Sequence, residues 1–336
     1  GGRTEIVTFR KEDNHCTRVV IDFRELEETG KFKVPVTQET KTNDQVGKSG
    51  TVVSISKLNL PQLKSLRSAP AITKRLGKTY RRIIRNQNLI IKFNGITCTP
   101  FNHCTWDKSR NGTNKGEQIP AIIEFDELIN SKRFCTSCWV WLSETAAVCG
   151  TCGTNDSIKQ RERRVRGWIG VQRYFDKQHY GFDLIRNGRV IQELDKSFFF
   201  CTTPQGEKDL EYPIDGHGAL GRFVGEIEMD FVPVTHQKDS FQDGDDWNDA
   251  KRVVRGDGPI RPQIAAQWGH PTNKTPLAVL FSAFRNAKGG IANLVPKRRS
   301  SGKAMISDDI IRDYVKRFDN GETDFQSDEK WWELIL

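Results

Sequence analysis

Four cysteines constrain this chain more than any other feature. Cys135-Thr-Ser-Cys138 and Cys149-Gly-Thr-Cys152 are two CxxC knuckles, with residues 139–148 between them. Two residues between thiolates let both sulfurs face one ion at about 2.3 Å, and two such knuckles complete a tetrahedral shell of four sulfurs. In a chain of 336 residues without a visible secretory signal, this pattern predicts zinc ligation rather than disulfides. Four thiolates leave no open position, so the zinc (Zn2+) is expected to be structural, not catalytic. Gly150 and Gly153 surround the second knuckle, where a tight turn favours positive φ. The alternative chemistry is a pair of disulfides or free thiols. Cys16, Cys98, Cys104 and Cys201 share no spacing and read as small buried hydrophobes. Cys98, His103 and Cys104 lack the further ligands that a second metal would need.

Length and composition set the outer limits. The 336 residues suggest two or three domains, ample to bury a core. Hydrophobic residues make up 36% and aromatics 10%, which is a globular composition and not a disordered one. No stretch approaches the ~18 consecutive apolar residues of a membrane span. The start, Gly1-Gly2-Arg3-Thr4, has neither an initiator Met nor an apolar signal region, as expected of a cut inside a longer protein. A cytoplasmic protein is expected, or a nuclear one in a eukaryote. Lys and Arg outnumber Asp and Glu by 52 to 43, and the net +9 suggests an anionic partner without establishing one.

The element pattern is mixed. Residues 5–10, 17–23 and the run after Gly50 read as strands, and 39–50 as a loop. Residues 61–85 read as helix with a break near Pro70; Leu63, Leu66, Ile72, Leu76, Tyr80, Ile83 and Ile84 give its apolar period. Residues 88–93 are a strand, and Asn94-Gly95 a hairpin turn before Ile96–Thr99. Strands follow at 119–126, 167–175 and 179–191, the last turned at Asn187-Gly188, and 222–232 alternates cleanly. Residues 246–267 and 304–320 read as helices, with a Gly-rich basic linker at 285–303.

Three stretches carry a resemblance. Lys48-Ser49-Gly50-Thr51-Val52-Val53-Ser54-Ile55 looks like the Gly-Thr motif that closes the nucleotide domain of GHKL ATPases. Tyr180-Gly181-Phe182, with Asn187-Gly188-Arg189-Val190-Ile191, looks like the transducer hairpin of the MORC family. Gly225-Glu226-Ile227-Glu228-Met229-Asp230-Phe231, followed by Thr235-His236-Gln237-Lys238-Asp239-Ser240-Phe241, resembles a further MORC signature and is the most specific of the three. Over roughly 1–245 the chain therefore resembles the second half of a MORC-like GHKL ATPase. Its prokaryotic relatives are the nearest match; gyrase B, MutL and the ninety-kilodalton heat-shock chaperones belong to the wider superfamily.

The resemblance implies an α+β fold. Residues 1–58 would be the last strands of the Bergerat ATP-binding sheet. Residues 59–245 would be a transducer, a left-handed βαβ unit like ribosomal small-subunit protein 5, with a zinc-ribbon insertion at 133–155. Residues 246–336 would be a helical C-terminal extension. The resemblance also assigns roles. Lys238 would reach the ATP γ-phosphate, where an ammonium stabilises charge developing on the transferred group. Gln237 or His236 would orient that loop or touch phosphate. Gly50 and Thr51 would lie on the floor of the nucleotide site, the hydroxyl hydrogen-bonding the adenine region through a carboxylate or water. ATP and Mg2+ would act in the full-length protein, closing a homodimeric clamp. Residues 1–47 lack the family's magnesium-binding Asn, its water-activating Glu and its Asp-x-Gly-x-Gly motif. This chain is therefore expected to need the N-terminal ATP-binding part of the same protein in order to hydrolyse ATP.

Basic runs lie at 74–85, 159–166 and 297–299. The middle one, with Arg161, Arg163, Arg164 and Arg166, directly follows the knuckles and suits phosphate contact; Trp139, Trp141 and Trp168 nearby could stack bases. The bland reading is that the arginines are solvated faces and that Trp139 and Trp141 pack the small core of the zinc module. Two functions follow: a DNA clamp, in prokaryotic phage defence or restriction-modification by resemblance, or a chaperone-like ATPase whose zinc insert contacts a protein client.

Overall fold

The computed structural model describes residues 2–31, 33–58, 61, 64, 68–87, 89–213, 220–285 and 307–334. It is α+β, and it divides into two compact units: residues 1–73 with 92–96, and residues 74–91 with 97–336.

The first unit is built on strands β1 (Arg3–Phe9), β2 (His15–Asp22), β3 (Val36–Thr40) and β4 (Gly50–Ser56), antiparallel in the order β3-β2-β1-β4. Alternation sorts their side chains. One face carries the ladder Glu5–Arg18–Glu39, with contacts of 2.8 and 3.1 Å. The other takes Val19, Ile6 and Val53, which stand side by side in register, and Ile55 opposite Thr4. Helix α1 (Phe23–Thr29) follows β2; Asp22 caps it by accepting from the Arg24 N–H, and Gly30 ends it at φ 59°. The polar stretch 39–50, expected to be loop, begins inside β3, whose side chains are all exposed.

The expected helix 61–85 becomes α2 (Ala69–Thr79), whose residues 69–73 count with the first unit and 74–79 with the second, and α3 (Arg81–Asn86) in the second. Pro70 sits in the first turn of α2, where its missing N–H costs nothing, and the break falls at Tyr80. Leu63 and Leu66 lie outside the described residues. Gly77 is required by close approach, because a Cβ there would stand 2.0 Å from the Thr99 carbonyl oxygen. The expected strand 88–93 shrinks to β5 (Lys92–Phe93), which counts with the first unit and pairs with β6 (Ile96–Thr97); in the second unit β7 (Asn111–Asn114) and β8 (Glu117–Pro120) form another hairpin.

The main sheet contains β9 (Ile122–Cys135), β10 (Val140–Trp141), β11 (Ile158–Asp176), β12 (Gly181–Arg186), β13 (Arg189–Asp195) and, after a small pair β14 (Phe200–Thr202) and β15 (Lys208–Leu210), β16 (Gly221–Glu228). Its order is β10-β9-β11-β16-β12-β13, and β12 runs parallel to β16. The basic run 159–166 is thus part of a strand, so its side chains alternate between two faces. A bulge interrupts β9 against β11: Arg163 pairs with Asn130 but Arg164 pairs with Leu128, leaving Ile129 as an extra residue.

One sheet face buries Ile169, Phe182, Leu184, Phe223 and Ile227 against Trp247, Val254, Leu277, Leu280 and Phe284. The last five belong to α4 (Asp245–Arg255) and α6 (Pro276–Arg285); α5 (Pro262–Gln267) lies between. Burial contributes about 1.5–3 kcal/mol for each such side chain. The expected helix 246–267 is divided at Gly256, φ 75°. Helices α7 (Asp308–Asp319), α8 (Thr323–Gln326) and α9 (Asp328–Trp332) add Phe318, Phe325 and Trp331 to the same core. The expected linker 285–303, past its first residue, and the basic run 297–299 lie outside the described residues.

Helices α2 and α3 face the opposite side of the sheet, where the buried groups are charged. Arg81 is 0% exposed and bridges Asp183 and Glu226, with 2.6 Å between its Nε and Glu226 Oε1. His103 Nε2 lies 3.0 Å from Asp183 Oδ2. Burial raises the Asp183 carboxyl, but the hydrogen bond and charge of His103 and the charge of Arg81 outweigh it and hold the group at about 2.

Candidate metal centre and basic face

The knuckles hang at the end of the β9–β11 hairpin. Cys135 closes β9, and Cys138 follows a turn in which the Trp139 N–H donates to the Cys135 carbonyl at 2.8 Å. Cys149 and Cys152 flank a second turn, closed by the Gly153 N–H on the Cys149 carbonyl with Gly153 at φ 70°. All four sulfurs lie within 4.8 Å of one another, and Cys135 and Cys152 are 3.7 Å apart. A tetrahedron with bonds of about 2.3 Å has edges of about 3.8 Å, so the four thiols fit a metal such as zinc. Among the thiols, donation of its proton to Cys152 pushes Cys138 up to about 12, while the Thr154 hydroxyl holds Cys152 at about 6. A cation would replace this uneven sharing of protons with four equivalent bonds.

The two tryptophans of the knuckle differ. Trp141 is half-buried, 4.9 Å from the Phe134 ring in an edge-on contact. Trp139 is 72% exposed and touches Phe134 only by its edge, at 5.9 Å. Packing of the knuckle accounts for the first and not for the second.

The four arginines of the middle basic run do not form one patch. Arg163 is buried and ion-paired at 2.6 Å with both Asp246 and Asp249 of α4. Arg164 pairs with Asp126 at 2.8 Å and Glu162 at 2.9 Å. Arg166 pairs with Glu228 at 2.7 Å. Only Arg161 of the four has no carboxylate partner among the described residues; it stacks over Phe134 and donates to the Asp230 carbonyl at 3.3 Å.

Reading the run as a unit missed other cations on the Arg161 face. Lys132 stands directly opposite Arg161 across the β9–β11 ladder, and Lys159 lies two residues along the same strand. Arg186 donates to the same Asp230 carbonyl at 3.2 Å. Arg189 pairs with Arg186 across the Asn187-Gly188 turn, whose φ values of 49° and 74° are those of a type I′ hairpin. Like charges flanking an Asn-Gly turn were the available signal.

Gln237 and Lys238 occupy the tip of a hairpin that follows β16. Val234 bridges Phe241, the Gln242 N–H donates to the Pro233 carbonyl, and the Lys238 N–H closes a turn on Thr235 at 2.9 Å. The Thr235 hydroxyl donates to Asp239 at 2.7 Å. Lys238 has φ 57°, is exposed, and has no ion pair among the described residues. Gly50 and Thr51 belong to the first unit: Gly50 lies against the Phe9 ring, and the Thr51 hydroxyl is exposed, 3.0 Å from that of Thr8.

A cleft of about 310 Å³ opens between α3 and the sheet, lined by Arg82, Arg85, Asp126, Arg166, Trp168 and Glu226. Its charges are matched within the fold, since Arg82 and Arg166 share Glu228 at 3.1 and 2.7 Å. No described helix is long and apolar enough to cross a membrane. No protein-family model matches the chain, and no curated protein matches it.

Proposed function

We propose that this chain is the transducer part of a MORC-like GHKL ATPase. In this reading it supplies Lys238 to the ATP γ-phosphate and couples ATP binding to closure of a homodimeric clamp on DNA. The setting that the resemblance favours is prokaryotic defence or restriction-modification. Residues 1–58 supply the end of the Bergerat sheet, with Gly50 and Thr51 at the nucleotide, and the zinc ribbon is an insertion in the transducer. The observation that carries the reading is the placement of Lys238. It is an ammonium without an ion pair among the described residues, at the tip of a short hairpin with a left-handed backbone and a turn braced by Thr235 and Asp239. A cation held out in this way keeps its charge available for a phosphate, which is the use that the sequence signature implies.

The test is Lys238→Ala in the complete protein, including the ATP-binding part that the reading requires. Turnover should fall about 100-fold or more, the scale of losing one charge-stabilising group, while nucleotide binding persists. Unchanged turnover sinks the assignment. Duplex DNA binding that persists unaltered from low to high salt would sink the clamp, because phosphate contacts release counterions.

A further inference from the structure

The face of the main sheet beneath the knuckle carries five cations that the fold does not neutralise. Lys132, Lys159, Arg161, Arg186 and Arg189 have no carboxylate at ion-pair distance among the described residues. Register places Lys132 opposite Arg161 and Arg186 opposite Arg189. Like charges directly opposite each other destabilise a sheet, so two such pairs on one face are a standing cost. Arg161 and Arg186 converge on one acceptor, the Asp230 carbonyl, at 3.3 and 3.2 Å. The Asp230 carboxylate is engaged by the Asn187 N–H at 2.6 Å. Burial, then the charge of Arg161, lower the proton affinity of Arg186 despite Asp230. The Arg189 Nε is buried and lacks an acceptor. Arg18, Arg163 and Arg261 also have a buried Nε without a partner, but each is ion-paired through another nitrogen. Arg189 has no such compensation. An aromatic surface adjoins this charge: Arg161 lies over Phe134, and Phe134 meets the exposed edge-on indole of Trp139.

We infer that this face is a binding site for single-stranded nucleic acid, with the five cations taking successive phosphates and Trp139 stacking a base. Phosphodiesters would supply the missing acceptors and relieve both like-charge pairs. An exposed indole beside a basic track suits an unpaired base, whose π-face is open, and not a base inside a duplex. The site shares a nucleic-acid partner with the function proposed above but needs no nucleotide and does not involve Lys238.

The test is fluorescence anisotropy of a labelled oligothymidylate of about 16 nucleotides, the upper end of single-strand site sizes. It uses the zinc-loaded full chain without ATP. Lys132→Gln with Lys159→Gln should weaken binding and reduce the slope of log affinity against log salt by about 1.4, from about 0.7 per phosphate contact. Trp139→Ala should weaken binding about tenfold with the slope unchanged, as for one lost stacked base. Arg164→Gln with Arg166→Gln should change neither. All but Trp139 in these variants keep a polar side chain, and Trp139 is exposed, so folding is expected to survive. Absence of binding at low salt overturns the site, as does an equal loss in the Arg164/Arg166 variant. A loss on Trp139→Ala without one on the lysine variant also overturns it and marks the knuckle as an apolar protein platform. A duplex of equal length that binds as tightly, with Trp139→Ala silent, overturns the single-strand assignment. Unchanged ATP turnover in Lys238→Ala would sink the ATPase reading alone, because no nucleotide enters the binding assay.

Discussion

The two faces of strand β11 carry the same residue type to opposite ends. Arg164 and Arg166, with Arg81 and Arg82 from α3, meet Asp126, Glu228, Glu226 and Asp183, and every guanidinium there has a carboxylate. Arg161, at the knuckle end of the other face, shares one backbone carbonyl with Arg186 and stands opposite Lys132. The first arrangement fastens helices to a sheet; the second leaves charge for something outside the fold. Counting basic residues along the chain cannot separate the two, because the deciding partners come from strands and helices distant in sequence.

The contrast can be broken in several ways, beginning with the metal. Chelation, or Cys138→Ser, should abolish one bound ion per chain and collapse the knuckle. Structural zinc contributes about 10–16 kcal/mol to small fingers, so amide exchange over 135–158 should rise by orders of magnitude while the core of the second unit stays protected. Next is the matched face. Arg81→Met removes the guanidinium shared by buried Asp183 and Glu226, leaving them only His103 at 3.0 Å and Arg85 at 3.7 Å, and should cost about 3–5 kcal/mol in urea unfolding. If the cost falls below about 1 kcal/mol, the network is not the fastening described.

The same network sets an acid limit. Asp183 is held below its unfolded value of about 3.9, so its contribution is fully present above that pH. It is lost as pH falls through the folded value of about 2. The loss should be on the order of 2 kcal/mol, and Asp183→Asn should remove this part of the pH dependence. The smallest effect belongs to the unmatched face. Arg186→Gln should leave stability unchanged or raise it by about 0.2–1 kcal/mol, by relieving a like-charge pair. A clear destabilisation would place Arg186 among the structural arginines and remove the contrast.

The four-cysteine cluster was legible because its spacing is covalent: CxxC fixes which sulfurs can meet wherever the chain goes. The strands at Arg3–Phe9, His15–Asp22 and Gly221–Glu228 were legible from alternation. Arg163 was not, since its partners Asp246 and Asp249 come from a helix more than 80 positions away that nothing in the strand announces. The region after 245 read as an extension because it changes character, yet Trp247, Leu280, Phe284 and Trp331 share one core with the sheet. Its helices are apolar on the side that packs, and sequence period alone does not say against what. Trp139 and Trp141 illustrate the same limit: two residues apart, one packs on Phe134 and the other projects.

The extra residue Ile129 makes the β9–β11 hairpin a counting device. Below the bulge, Lys132 and Phe134 lie on the face of Arg161; above it, Ile123 and Phe125 keep the core, although they differ from Lys132 and Phe134 by an odd number of positions. Between the Phe125–Gly167 and Lys132–Arg161 pairs, β9 has six residues (126–131) and β11 has five (162–166). Removing one of the six would abolish the bulge and its local kink but leave Lys132 opposite Arg161 in a regular ladder, with the knuckle on the same side of the sheet. Beyond Cys135 the loop between the knuckles has no such constraint. Natural or engineered variation in length should be tolerated across 142–148, which lies between the second pairing strand and Cys149, and restricted across 126–131 to loss of the one extra residue.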